Sequence, residues 1–126
     1  MLNLVGKAET MIKVAFFTND LKNINAHFGS ADQFAVYDVE ATNYSLSKVV
    51  NTEGERTDGR IELLSGVDIV YCTEIGPAAA ARVVNSKIFP IKYKDVVSIE
   101  DELIKLSQML STNPPPFIKK IIEARG

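Results

Sequence analysis

The first strongly patterned stretch is Ile12-Lys13-Val14-Ala15-Phe16-Phe17-Thr18, a β-branched and aromatic run that stops at Asn19-Asp20. That is the pattern of a largely buried strand ending in a turn. Residues 34–39 and 44–50 are two more strand-like runs, and the short link Glu40-Ala41-Thr42-Asn43 between them predicts a hairpin. In the second run Tyr44, Leu46, Lys48 and Val50 alternate with Ser45, Ser47 and Val49. One face is therefore wetter than a central strand's, which predicts an edge position.

After the polar link 51–58 the period changes. Thr57 or Asp58 is placed to cap a short helix with Ile61 and Leu64 on one face, closed by Gly66. Val67-Asp68-Ile69-Val70-Tyr71-Cys72 reads as a second buried strand. Gly76-Pro77 then opens a helix whose Ala78-Ala79-Ala80-Ala81 run is small enough to lie close to a sheet. A last short strand over 87–91 is predicted near an edge, because Pro90 has no N–H for a ladder. Ser98 with Asp101 makes a capping pair, and Ile99, Leu103, Leu106 and Leu110 share one face of the helix that follows. Asn113 and three prolines stop it, leaving Phe117-Ile118-Lys119-Lys120-Ile121-Ile122 as an apolar and basic tail for docking or partner contact.

Strands joined by a hairpin and followed by strand–helix–strand–helix predict an α/β fold, a mixed sheet with helices on both faces. At 126 residues the chain is one domain. Its expected organisation is a leader over 1–11, a domain over 12–112 and a Pro-rich C-terminal tail over 113–126.

Composition narrows the function. Fourteen Lys and Arg against 16 Asp and Glu leave a net charge of −2, so the basic surface of a nucleic-acid binder is missing. One cysteine, Cys72, makes neither an intrachain disulfide nor a cysteine cage for zinc or iron, which points to a reducing, cytoplasmic setting. No apolar run approaches the roughly 18–20 residues that span a bilayer, and no secretory signal pattern is present, so membrane insertion is not expected.

In α/β sheets ligands gather beyond the carboxyl ends of parallel strands, so the segments after Thr18 and after Cys72 are where chemistry is expected. The first holds the only histidine, His27, followed by Phe28 and Gly29. A neutral imidazole suits iron or another transition metal, and glycine lets backbone approach a bulky ligand. The plainer alternative is a histidine that hydrogen-bonds its own loop. Cys72 stands just before a helix start, which lowers thiol pKa values, although free cysteine also packs as a small hydrophobe. The turn at Gly76 offers backbone N–H groups but matches no nucleotide motif. The acidic residues Asp20, Asp38, Asp68 and Asp95 are too dispersed for a two-metal site, and no triad order appears, so an enzyme is not expected.

Asn25-Ala26-His27-Phe28-Gly29-Ser30-Ala31 with Phe34-Ala35-Val36-Tyr37 resembles the His-Phe-Gly motif of the nitrogenase accessory factors, the dinitrogenase iron–molybdenum cofactor biosynthesis family. Ile75-Gly76-Pro77-Ala78-Ala79-Ala80 with Pro90-Ile91-Lys92-Tyr93 is a second match, and Asn113-Pro114-Pro115-Pro116-Phe117 is similar to the tail of the family's X-type carriers. The resemblance runs from about Ile12 to the C-terminus. It implies a three-layer α/β/α, ribonuclease H-like layout with a five-stranded sheet in the order 3-2-1-4-5. The implied function is to carry an iron–sulfur precursor or the iron–molybdenum cofactor between nitrogenase cofactor assembly and scaffold proteins, without turnover. The family's histidine carries over to His27 as the cofactor and metal contact, with Asn25, Phe28, Gly29 and Gly76 around it. Cys72 is added from its predicted position alone. The alternative is a small-ligand or regulatory module of the same fold with no nitrogenase role.

Overall fold

The computed structural model describes residues 11–125; residues 1–10 of the expected leader lie outside them. Strand β1 (Met11–Phe17) pairs antiparallel with β3 (Gln33–Glu40), which forms a hairpin with β4 (Asn43–Asn51). Helix α1 (Thr57–Leu63) leads to β5 (Ile69–Cys72), which lies parallel to β1 on its other side. Helix α2 (Pro77–Asn85) leads to β6 (Phe89–Lys92), parallel to β5. The sheet order is β4-β3-β1-β5-β6, so the wet strand and the Pro90 strand occupy the two edges. Two short strands, β2 (Asn23–Ile24) and β7 (Val97–Ser98), pair in a separate ribbon that the sequence pattern does not signal. Helices α3 (Ile99–Ser111) and α4 (Pro116–Arg125) end the fold.

Period-two alternation sorts each central strand between two cores. Ala15, Phe17, Val70 and Cys72 pack with Leu64 and Val83 of the α1–α2 side. Ile12, Val14, Phe16, Ile69 and Tyr71 pack with Ile99, Leu103, Leu106 and Ile118 on the α3–α4 side. These are three layers, helices over both faces of one mixed sheet.

Two local expectations change and one holds. Neither Thr57 nor Asp58 caps α1; Arg56 holds the cap position and contributes no side-chain bond. Ser98 does cap α3, its hydroxyl accepting the Asp101 N–H at 3.3 Å. The segment expected as a docking tail is helix α4, seated on its own sheet: Ile118 is fully buried and Phe89 stacks on Phe117 at 4.7 Å. Its last turn is tied down by Arg125, which donates to Asp68 at 3.0 Å. The prolines therefore mark a corner between two packed helices.

Candidate functional site

Because β1, β5 and β6 run parallel, their carboxyl ends open on one edge of the sheet. The chain leaves β1 through Thr18, whose buried hydroxyl accepts the Leu21 N–H at 3.0 Å. Asp20 accepts the N–H groups of Lys22 at 3.0 Å and Asn23 at 2.9 Å, and these bonds hold its carboxyl well below the usual range although it is exposed. Asn19 and Asn25 close the detour. The Asn19 N–H donates to Asn25 Oδ1 at 2.7 Å, and Asn19 Nδ2 donates to the Asn25 carbonyl at 3.0 Å.

The chain then returns to the sheet. The Thr73 N–H donates to the Ala26 carbonyl at 3.0 Å and the Phe28 N–H to the Glu74 carbonyl at 2.9 Å, which sets His27 beside Glu74 in a parallel bridge. Residues 26–28 thus prolong the β1–β5 ladder past the end of β1. Alternation does the rest: Ala26 and Phe28 turn into the core, and His27 between them is exposed. The Phe28 ring packs on Phe17 with centroids 5.1 Å apart. Backbone bonds and two buried anchors, rather than the imidazole, hold the loop.

Beyond His27 the turn is closed by the Ala31 N–H donating to the His27 carbonyl at 3.0 Å. A Cβ built on Gly29 meets nothing within 4 Å, and its backbone is not left-handed, so neither packing nor conformation requires glycine there. The same open space surrounds Gly76, the cap residue of α2. A shallow depression of about 250 Å³ lies against the imidazole, lined by Asn19, Asn25, Ala26, His27, Ser30 and Ala31. Among the described residues no three His, Cys, Asp or Glu side chains gather as metal ligands. What this edge offers is one exposed imidazole on a braced loop beside unobstructed backbone.

The sequence profile described as "Dinitrogenase iron-molybdenum cofactor" matches residues 10–109. The chain belongs to that family. Protein NifX of Sinorhizobium fredii is 37% identical over 91% of this chain and 80% of its own length, and NifX of Rhodobacter capsulatus is 35% identical over 90% and 79%. Protein NifY of Klebsiella pneumoniae is 28% identical over 84% of this chain and 48% of its own. The crystal structure of PH0822 superposes with a TM-score of 0.66 at 23% identity, covering 76% of this chain and 88% of that one, and shows the shared fold.

In this family member the structure brings His27, Gly29 and Asn25 together at the edge, with Asn25 already engaged by Asn19. Two of the expected contact residues point elsewhere. Phe28 is 1% exposed and belongs to the core, where it anchors the loop. Cys72 is fully buried on the α1–α2 side, and burial pushes its thiol up from 9.0 to about 11, the reverse of the lowering expected beside a helix start.

That shift has a readable consequence. Between pH 9.0 and about 11 the folded thiol keeps a proton that the unfolded chain has lost, so stability falls as pH rises through this window. Cys72→Ala is expected to remove about 2 kcal/mol of that alkaline loss, read as the difference between wild-type and variant urea midpoints at pH 8 and pH 10.5. The folded protein at pH 8 is expected to resist iodoacetamide until denatured. Ready alkylation of the native thiol would contradict the burial.

One contributor was not singled out from the sequence. Arg60 of α1 is 5% exposed, and its guanidinium donates to the carbonyls of Ala31 at 2.6 Å and Phe28 at 3.3 Å, both in the His27 loop. It also donates to Thr52 Oγ1 at 3.1 Å and the Glu55 carbonyl at 3.0 Å. The available signal was its spacing, four residues before buried Leu64 on one helical face.

Proposed function

We propose that this protein binds an iron–sulfur precursor or the finished iron–molybdenum cofactor and carries it between the assembly and scaffold proteins of nitrogenase cofactor synthesis, without catalysing a reaction. The observation that carries the reading is the exposed His27, displayed between two buried anchors at the sheet edge, in a chain whose family is described by that cofactor. A bare metal ion needs several protein ligands, whereas a preassembled cluster brings most of its own and needs one or two attachment points. A single imidazole on an open edge suits the second case. It holds an iron atom through nitrogen, and its exposure lets a partner's ligand displace it, which transfer requires. In this reading Gly29 and Gly76 leave room for the cluster's body, Asn25 and Phe28 hold the loop, and Cys72 takes no part.

Anaerobic titration with a synthetic thiolate-ligated iron–sulfur cluster tests this, with bound iron measured after gel filtration. His27→Ala is expected to weaken binding about tenfold or more, since each tenfold is about 1.4 kcal/mol and a ligand bond is lost. Unfolding free energy should move by less than about 0.5 kcal/mol, as for other exposed side chains. Equal iron retention by variant and wild type would overturn the assignment of His27. Wild type that retains no cluster would overturn the carrier reading.

A further inference from the structure

The buried Arg60 raises a question that stability alone does not answer. A guanidinium is always charged, and taking it out of water is costly unless its donors are all matched. Its four acceptors are three carbonyls and one hydroxyl, all uncharged, so no carboxylate among them repays the desolvation. Two of those carbonyls, Phe28 and Ala31, bracket the turn that follows His27. The remaining acceptors, the Thr52 hydroxyl and the Glu55 carbonyl, lie in the link from β4 to α1, and Thr52 Oγ1 itself donates to the Ala31 carbonyl at 2.5 Å. Nη1 and Nε of one guanidinium thus bridge two separate stretches of chain and brace the inner side of the His27 turn. On the outer side a Cβ on Gly29 meets nothing within 4 Å.

We propose that Arg60 is the positioning residue of the His27 loop: through the Phe28 and Ala31 carbonyls it holds the turn in the one conformation that presents the imidazole to ligand. The proposal rests on His27 as the contact with cargo, and it adds that ligand affinity depends on a side chain buried beneath the loop. A point-charge ammonium does not replace the fork. Lysine keeps the charge but lacks the rigid geometry that reaches several acceptors at once.

The test uses Arg60→Lys in the full chain, with Thr52→Val as the milder second variant should Arg60→Lys fail to fold. Amide hydrogen exchange is read at Phe28 and Ala31, whose N–H groups bond Glu74 and His27, against the central β1 and β5 amides as internal reference. Affinity is read with the synthetic thiolate-ligated cluster. For Arg60→Lys protection at Phe28 and Ala31 is expected to fall about tenfold with β1 and β5 unchanged, and cluster affinity to fall by about the same factor. For Thr52→Val both effects are smaller and in the same direction. Unchanged protection at the turn, or lost protection with wild-type affinity, would overturn the proposal. If wild type binds no cluster the carrier reading fails, and the exchange pattern still decides whether Arg60 holds the turn.

Discussion

Phe28→Ala is expected to lower the unfolding free energy by about 3–5 kcal/mol, the range for emptying a buried aromatic site. Phe28 is 1% exposed, packs on Phe17 at 5.1 Å, and through Phe17 joins Phe34 at the same centroid distance, so its removal opens a void in the middle of one core. The second effect is local. The Phe28 N–H and carbonyl are the groups bonded to Glu74 and Arg60, and without the ring only these bonds and the Ala26 anchor tie them to the sheet. Phe28→Leu fills most of the void and is expected to recover more than half of the loss. Urea unfolding and cluster titration of both variants separate two roles for this residue. An anchor predicts that affinity and stability fall together and are rescued together by leucine. A direct contact predicts lost affinity at full stability, which would restore Phe28 as a binding residue.

Phe28 also shows how far the sequence could be read. The α/β class, the hairpin and the capped amphipathic helix followed from period and turn chemistry, because those signals are local and each element's burial reinforces its own pattern. The histidine was legible for a similar reason, since a lone imidazole beside glycine after a buried strand is a local feature. What surrounds it was not. That Phe28 turns inward depends on residues 26–28 joining the ladder beside Thr73 and Glu74, a pairing across 46 or 47 positions that no local pattern encodes. Arg60 was hidden likewise, since a lone charged residue in a short helix reads as solvated until the carbonyls 29 and 32 residues earlier are placed over it. The Cys72 expectation failed on a subtler point. The thiol does stand near a helix start, but alternation turned it into the core, and desolvation then outweighs the neighbouring N–H groups.

Desolvation also governs the opposite face of the sheet, where the second large effect is expected. Glu102 of α3 is 4% exposed and accepts hydroxyl bonds from Tyr71 at 2.8 Å and Tyr93 at 3.0 Å, tying α3 to β5 and to the segment after β6. Tyr71 is fully buried and stacked on Phe16 at 4.9 Å, and burial, then the Glu102 charge, pushes its hydroxyl far above the usual tyrosine value. Glu102→Leu leaves that hydroxyl with no acceptor, and is expected to cost about 3 kcal/mol, one buried orphan donor plus a lost bond to Tyr93. The decisive comparison is the double variant. If the cost lies in the orphaned hydroxyl, Tyr71→Phe added to Glu102→Leu removes the group that lacks a partner, and the pair should be more stable than Glu102→Leu alone by about 1–2 kcal/mol. Additive losses would place the cost in packing of the glutamate stem instead. Cluster affinity at the His27 edge is expected to stay at the wild-type level in both variants, because Ala26 and Phe28, which anchor the His27 loop, belong to the other core.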